Sequence, residues 1–154
     1  MSEQEQAAAP GFNIEKIYLK DLSVEVPNAP QIFLEQTPPQ IDVQLRNQSE
    51  AVDEGIYQTT LTAVVNAKIG DKTAFLVEAH QAGIFRVQNL PQEALEPMLA
   101  VGCPNILFPY LRETVSDAAA RAGFPALYLQ PVNFEAIYLQ QRAQAQAQAQ
   151  PKTD

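Results

Sequence analysis

The chain has 154 residues, 46% of them hydrophobic, which suffices for one domain with a real core and excludes disorder of the whole. Its formal net charge is −8, from 18 Asp and Glu against 10 Lys and Arg. That balance repels phosphate backbones and anionic membrane surfaces, so nucleic acid and lipid are excluded as partners and a basic partner is favoured.

Residues 1–11 read as a disordered N-terminal arm ending in Pro10-Gly11. They carry neither a basic nor an apolar signal-peptide region, and no run approaches the length of a membrane span, so a cytoplasmic protein is expected. Phe12–Val26 alternates as a strand, with Phe12, Ile14, Tyr18, Leu22, Val24 and Val26 against Asn13, Glu15, Asp21, Ser23 and Glu25. Ile17 and Leu19 break the alternation, which predicts a bulge or a strand buried on both sides. Pro27-Asn28-Ala29-Pro30 and Pro38-Pro39 bracket a stiff, non-helical crossover carrying Ile32, Phe33 and Leu34. These three either plug the end of the core or line a groove.

Ile41–Arg46 reads as a short strand with Ile41, Val43 and Leu45 inward. Ile56–Ile69 is the clearest strand, and the Gly70-Asp71 turn joins it to Thr73–Arg86 as a hairpin. In that partner strand Phe75, Val77, Ala79 and Gln81 face inward, while Leu76, Glu78 and His80 face outward. Pro91 opens a short helix limited by Pro97. A longer helix lies between Cys103 and Gly123, with Pro104 in its first turn and Gly123 as a left-handed terminator. Its apolar stripe is Leu107, Leu111, Val115, Ala118 and Ala122; Pro109 must kink or restart it. A last helix starts at the N-cap Asn133, with Phe134, Ile137 and Tyr138 on one face. Residues 143–154, with alternating Ala and Gln, read as a fraying helix end that becomes a disordered tail. Strands first and helices second predict an α+β fold, a four-stranded antiparallel sheet with C-terminal helices packed on one face, over residues 12–142.

The sequence offers little catalytic chemistry. The sole cysteine, Cys103, rules out an internal disulfide, and no metal-ligand or nucleotide-binding spacing occurs, so no cofactor is implied. A hydrolytic pair would have to use Cys103 with His80, the sole histidine, which sits mid-strand beside Glu78 as an exposed residue. Asp53-Glu54 reads as a solvated loop.

Five blocks together resemble the SecB-type protein-export chaperones. They are Tyr18-Leu-Lys-Asp-Leu-Ser-Val-Glu25 with Pro27-Asn-Ala-Pro30; Phe75-Leu-Val-Glu78 with Gly83-Ile-Phe85; Cys103-Pro-Asn-Ile-Leu-Phe-Pro-Tyr110; Arg112-Glu113; and Pro131-Val-Asn-Phe134. The resemblance spans about residues 12–140. It implies an ATP-independent holdase, a homotetramer built as a dimer of dimers, that holds unfolded secretory preproteins and delivers them to the motor ATPase SecA. Carried over by motif, the SecA contact falls on Asp21, Glu25, Leu76 and Glu78, and its partner is a short, basic, zinc-binding tail of SecA. The row Phe75, Val77, Ala79 and Gln81 is placed by the resemblance at packing between subunits.

The residues agree with the docking placement. Asp21 and Glu25 share strand parity, as do Leu76 and Glu78, and carboxylates without a balancing lysine suit a basic ligand. Client binding needs apolar surface, for which Ile32, Phe33, Leu34, Leu107, Phe108, Phe134, Ile137 and Tyr138 are the candidates. The competing reading is an acidic adaptor that docks one folded partner and holds no client.

Overall fold

The computed structural model describes residues 9–149. Positions 1–8 of the expected arm and 150–154 of the expected tail lie outside the described residues. Four strands form one antiparallel sheet in the order β1-β4-β3-β2, with β1 Gly11–Glu25, β2 Gln40–Asp53, β3 Ile56–Ile69 and β4 Lys72–Gln88. The helices are α1 Gln92–Pro97, α2 Cys103–Arg121 and α3 Phe134–Ala149, and a 3₁₀ turn, Gln31–Leu34, lies in the β1–β2 crossover.

Beyond one register shift between Ala67 and Lys68, the β3–β4 hairpin alternates regularly, so its two faces separate cleanly. Leu61, Ala63, Val65 and Ala67 of β3 and Phe75, Val77 and Ala79 of β4 are all buried on the inner face. The stripe Leu107, Leu111, Val115 and Ala118 of α2 is buried with them in one core cluster. Small residues let the helix sit close. A Cβ on Gly83 would lie 2.8 Å from the Phe85 ring and 3.0 Å from Leu107 Cδ2, so only glycine leaves room there. Gln81, buried among apolar neighbours, is satisfied at both ends of its amide. Its Nε2 donates to the Tyr18 carbonyl at 3.1 Å, and Thr114 Oγ1 donates to its Oε1 at 3.2 Å. That one side chain ties β4 to β1 and to α2.

Strand β1 reaches the same sheet by a less regular path. Its register against β4 shifts between Ile14 and Lys16 and again between Leu19 and Asp21, so the bulge alternative holds. The first shift flips the parity and the second restores it. Tyr18, expected inward, therefore opposes Ala82 on the outer face, where its hydroxyl donates to Gln58. Ile17 and Leu19 take the inward positions instead, opposite Gly83 and Gln81. Strand β2 is more than twice its expected length: beyond Arg46, polar residues as far as Asp53 stay extended because β3 pairs with them.

Neither internal proline stops a helix. Past Pro97 the chain continues through a π turn, Met98–Gly102, directly into α2. Helix α2 runs uninterrupted through Pro109. Pro109 and Asn105 are both exposed, so the carbonyl that loses its donor meets water. Gly123, at φ +94°, ends the helix: the Gly123 N–H donates to the Ala120 carbonyl and the Phe124 N–H to the Ala119 carbonyl. Asn133 caps α3, its Oδ1 accepting from the Ala136 N–H at 2.9 Å. The Ala/Gln stretch, expected to fray from a helix end into a disordered tail, is helical and exposed through Ala149, consistent with the good helix propensity of both residues.

A Cβ on Gly123 would also meet the Phe33 ring at 2.9 Å. Gly123→Ala is expected to lower unfolding free energy by at least about 1–2 kcal/mol, the cost of a left-handed alanine. Urea denaturation monitored by circular dichroism measures this, and an unchanged midpoint contradicts it.

Candidate functional site

Helix α2 covers the two central strands, which leaves three surfaces open: the whole outer face and the inner margins of β1 and β2. The outer face brings together all four residues expected at the docking contact. Glu25 opposes Leu76, Ser23 opposes Glu78, and Asp21 opposes His80. Glu78 is half exposed and Leu76 partly buried, so the apolar side chain is framed by carboxylates. His80 is less exposed than expected, with 21% of its side chain accessible. Its Nδ1 lies 2.9 Å from Thr62 Oγ1 and its Nε2 lies 3.2 Å from Glu78 Oε1.

The expectation that no lysine balances these carboxylates is corrected. The bulge at Lys20 turns it into the same open cavity as Asp21, about 680 Å³, which Arg46 and His80 also line. The outer face is thus zoned, with Asp21, Glu25 and Glu78 along the β1–β4 seam and Arg46 towards β2.

The inner β2 margin forms a groove of about 600 Å³. Ile41, Val43 and Leu45 make its floor, the segment Leu127–Val132 makes its wall, and Ile137 of α3 closes one end. Ile41 is 39%, Val43 38% and Tyr128 65% exposed, so large apolar side chains here meet solvent. The wall is pinned to α2 by Arg112, whose Nε donates to the Leu129 carbonyl at 2.7 Å while its guanidinium lies 4.7 Å from the Phe108 ring centroid. A smaller recess of about 250 Å³ adjoins, lined by Leu45, Phe134, Ile137 and Tyr138 among others. Two atoms of its lining residues, Tyr138 Oη and Asn47 Oδ1, are buried without a hydrogen-bond partner.

The eight client-binding candidates divide. Ile137 and Tyr138 line these cavities, and Phe134 lines the recess although mostly buried. Ile32, Leu107 and Phe108 lie in the core, Phe108 packing edge-on to Phe134 at 5.9 Å. Phe33 lies against Phe124, 5.3 Å between ring centroids, and Leu34 is 82% exposed, both outside the groove lining. Ile41, Val43, Leu127, Tyr128 and Leu129 were missed, although inward Ile41 and Val43 on a strand with no helical cover would have pointed to an open apolar edge. The row Phe75, Val77, Ala79 and Gln81, expected at packing between subunits, is buried within the chain. It lies under the chain's own α2.

Cys103 and His80 cannot act together. Thr59, an inner-face residue of β3, hydrogen-bonds Cys103, whereas His80 projects from the outer face. Burial pushes the Cys103 thiol up to about 11, against a smaller opposing effect of that hydrogen bond. The thiol is therefore sealed and protonated at neutral pH.

An apolar groove and a charged face on opposite sides of one sheet give the fold two separate surfaces for binding. The comparisons say which family carries them. The sequence pattern of the SecB family, described as preprotein translocase subunit SecB, matches residues 5–145. The protein-export protein SecB of Dechloromonas aromatica is 61% identical over 145 residues, covering 94% of this chain and 95% of that one. The same protein from Chromobacterium violaceum is 60% identical over 149 residues, covering 97% and 98%. The solved structure of the Mycobacterium tuberculosis Rv1957 SecB-like chaperone, in complex with a ChAD peptide from the Rv1956 HigA1 antitoxin, shares the fold, with a TM-score of 0.65 at 19% identity over 79% of this chain and 90% of that one. The chain belongs to the SecB family of protein-export chaperones, which is not a family of enzymes. Among the described residues no helix is long and apolar enough to cross a membrane.

Thiol titration tests the sealed site. Native protein is expected to resist an aromatic disulfide reagent at neutral pH, while urea-unfolded protein reacts fully. Because the folded thiol keeps its proton from about 9 up to about 11, where the unfolded one has lost it, this group's stabilisation is expected to decline with rising pH across that window. Rapid native reaction would contradict both.

Proposed function

We propose that this protein is an ATP-independent holdase that keeps secretory preproteins unfolded in the cytosol and hands them to SecA. The single observation that carries the reading is the open apolar groove floored by Ile41 and Val43. An extended segment burying about 300 Å² there gains roughly 7 kcal/mol gross at 25 cal/mol per Å², before ordering costs. Such binding reads hydrophobicity and backbone rather than a particular sequence. The groove favours a holdase over an adaptor that docks one folded partner.

Delivery uses the other side of the sheet. Asp21, Glu25 and Glu78 around Leu76 fit a basic segment such as the zinc-binding tail of SecA, and any zinc belongs to that partner. Assembly as a dimer of dimers uses the β1 margin, where Ile14, Leu19, Leu22 and Val24 leave apolar surface exposed on an unpaired edge strand. Phe75, Val77, Ala79 and Gln81 influence assembly only through the position of α2.

The two surfaces are expected to separate by mutation. Glu78→Lys weakens SecA binding by roughly tenfold, as measured by calorimetry, with client holding intact. Val43→Asp abolishes suppression of aggregation of an unfolded precursor with SecA binding intact. Parallel loss of both activities in either variant would contradict the division, and failure of the unaltered protein to suppress aggregation at stoichiometric excess would remove the holdase reading.

A further inference from the structure

His80, the sole histidine, stands at the Asp21 end of the docking face and has no part in the function proposed for it. Both of its ring nitrogens are engaged. Nε2 is 3.2 Å from Glu78 Oε1, and Nδ1 is 2.9 Å from the hydroxyl of Thr62, which is itself almost wholly buried. In the neutral ring with its hydrogen on Nε2, the imidazole donates to Glu78 and accepts from Thr62. The geometry survives protonation, since the Thr62 oxygen can then accept from Nδ1 instead. The imidazole is thus a fixed strut that holds the Glu78 carboxylate in one orientation, and its charge can change without its place changing.

The groups facing it are few. On β4 itself there is Glu78. From β1 come Asp21, directly opposite, Lys20 in the same cavity, and Glu25 four residues further along the strand. From β3 there is uncharged Thr62, and from β2 come Arg46, opposite Thr62, and Glu50, which lines the same cavity and accepts from Gln58 Nε2 at 2.7 Å. The helices lie on the other side of the sheet. Asp21, Glu25 and Glu78 therefore present three carboxylates along the seam, with Lys20 and Arg46 beside them. A proton on His80 adds a third cation in direct contact with one of those carboxylates.

We infer that His80 is a positioning residue for the docking of a cationic peptide, and that its protonation makes this docking weaken as pH falls. The inference rests on the docking role proposed for Glu78. Neutral His80 orients Glu78 through one hydrogen bond and leaves its negative charge uncompensated. Protonated His80 pairs with Glu78 and repels an incoming lysine or arginine. Histidine is the side-chain type whose charge can change near neutral pH. Linkage makes the effect reciprocal: a bound cationic peptide opposes proton uptake by the ring.

The test uses the full-length protein and a synthetic peptide of the basic zinc-binding tail of SecA, loaded with zinc, in calorimetric titrations at about pH 8 and about pH 5.5. His80→Gln, which keeps a donor and an acceptor but carries no titratable charge, is measured in parallel; any pH effect within the peptide is common to both proteins. Between the two pH values the unaltered protein is expected to lose roughly three- to fivefold more affinity than His80→Gln. Identical pH profiles would overturn the role of His80 while leaving docking intact. Absence of binding by either protein at the higher pH would overturn the docking role itself, and this inference with it. A second readout needs no variant: the imidazole proton signals of the unaltered protein should titrate at lower pH when the peptide is bound, and an unmoved titration counts against the inference.

Discussion

Helix α2 lies across the two central strands, and that seating sets the rest of the molecule. It is possible because the inner face of β3 and β4 is built from small residues between large ones: Ala63, Ala67, Ala79 and Gly83 beside Leu61, Phe75 and Phe85. The Leu107–Leu111–Val115–Ala118 stripe closes on that relief and buries it completely. A helix centred on two strands of a four-stranded sheet cannot also cover the edges. The inward apolar residues of β1 and β2 are left part-exposed as a direct consequence, and the outer face is left bare. A core decision thereby determines where the molecule has surface to offer.

The β2 margin becomes a groove because a second constraint adds a wall. The Schellman turn at Gly123 directs the chain out of α2, and Arg112 then holds the Leu129 carbonyl, so Leu127–Val132 stands beside β2 instead of folding over it. Helix α3, capped by Asn133 and anchored by Phe134 against Phe108, closes the end. The groove is therefore supported from behind by the same core that α2 completes. On the far side of the sheet, the β-bulge at Lys20 sets which charges accompany Asp21.

Much of this could be read in the sequence where local pattern and tertiary structure agree. The β3–β4 hairpin, the α2 stripe, the Asn133 cap and the Gly123 terminator all follow from period and capping chemistry, and the residues expected at the docking contact fall on one face because β4 alternates regularly from Phe75 onward. Strand β1 could not be read so far, since two bulges flip Tyr18 outward and bring Lys20 beside Asp21; a bulge is settled by pairing with β4, not by β1 alone. The second half of β2, Asn47–Asp53, lacks alternation and is extended only because β3 templates it. The groove was hidden for a different reason. Its floor and wall are more than eighty residues apart in sequence, and nothing in either segment states that α2 leaves room for both. Apolar residues such as Leu107 and Phe108 look equally suited to a core and to a client, and burial alone separates the two.

The central claim is that client and partner occupy opposite sides of the sheet. Site-specific photocrosslinking tests it most directly, with a photoreactive phenylalanine analogue placed at Val43 in one protein and at Glu78 in another, each mixed with an unfolded preprotein or with SecA. Opposite-sided binding predicts preprotein adducts from position 43 and SecA adducts from position 78. Preprotein adducts formed equally from both positions, or SecA adducts from position 43 alone, would contradict it.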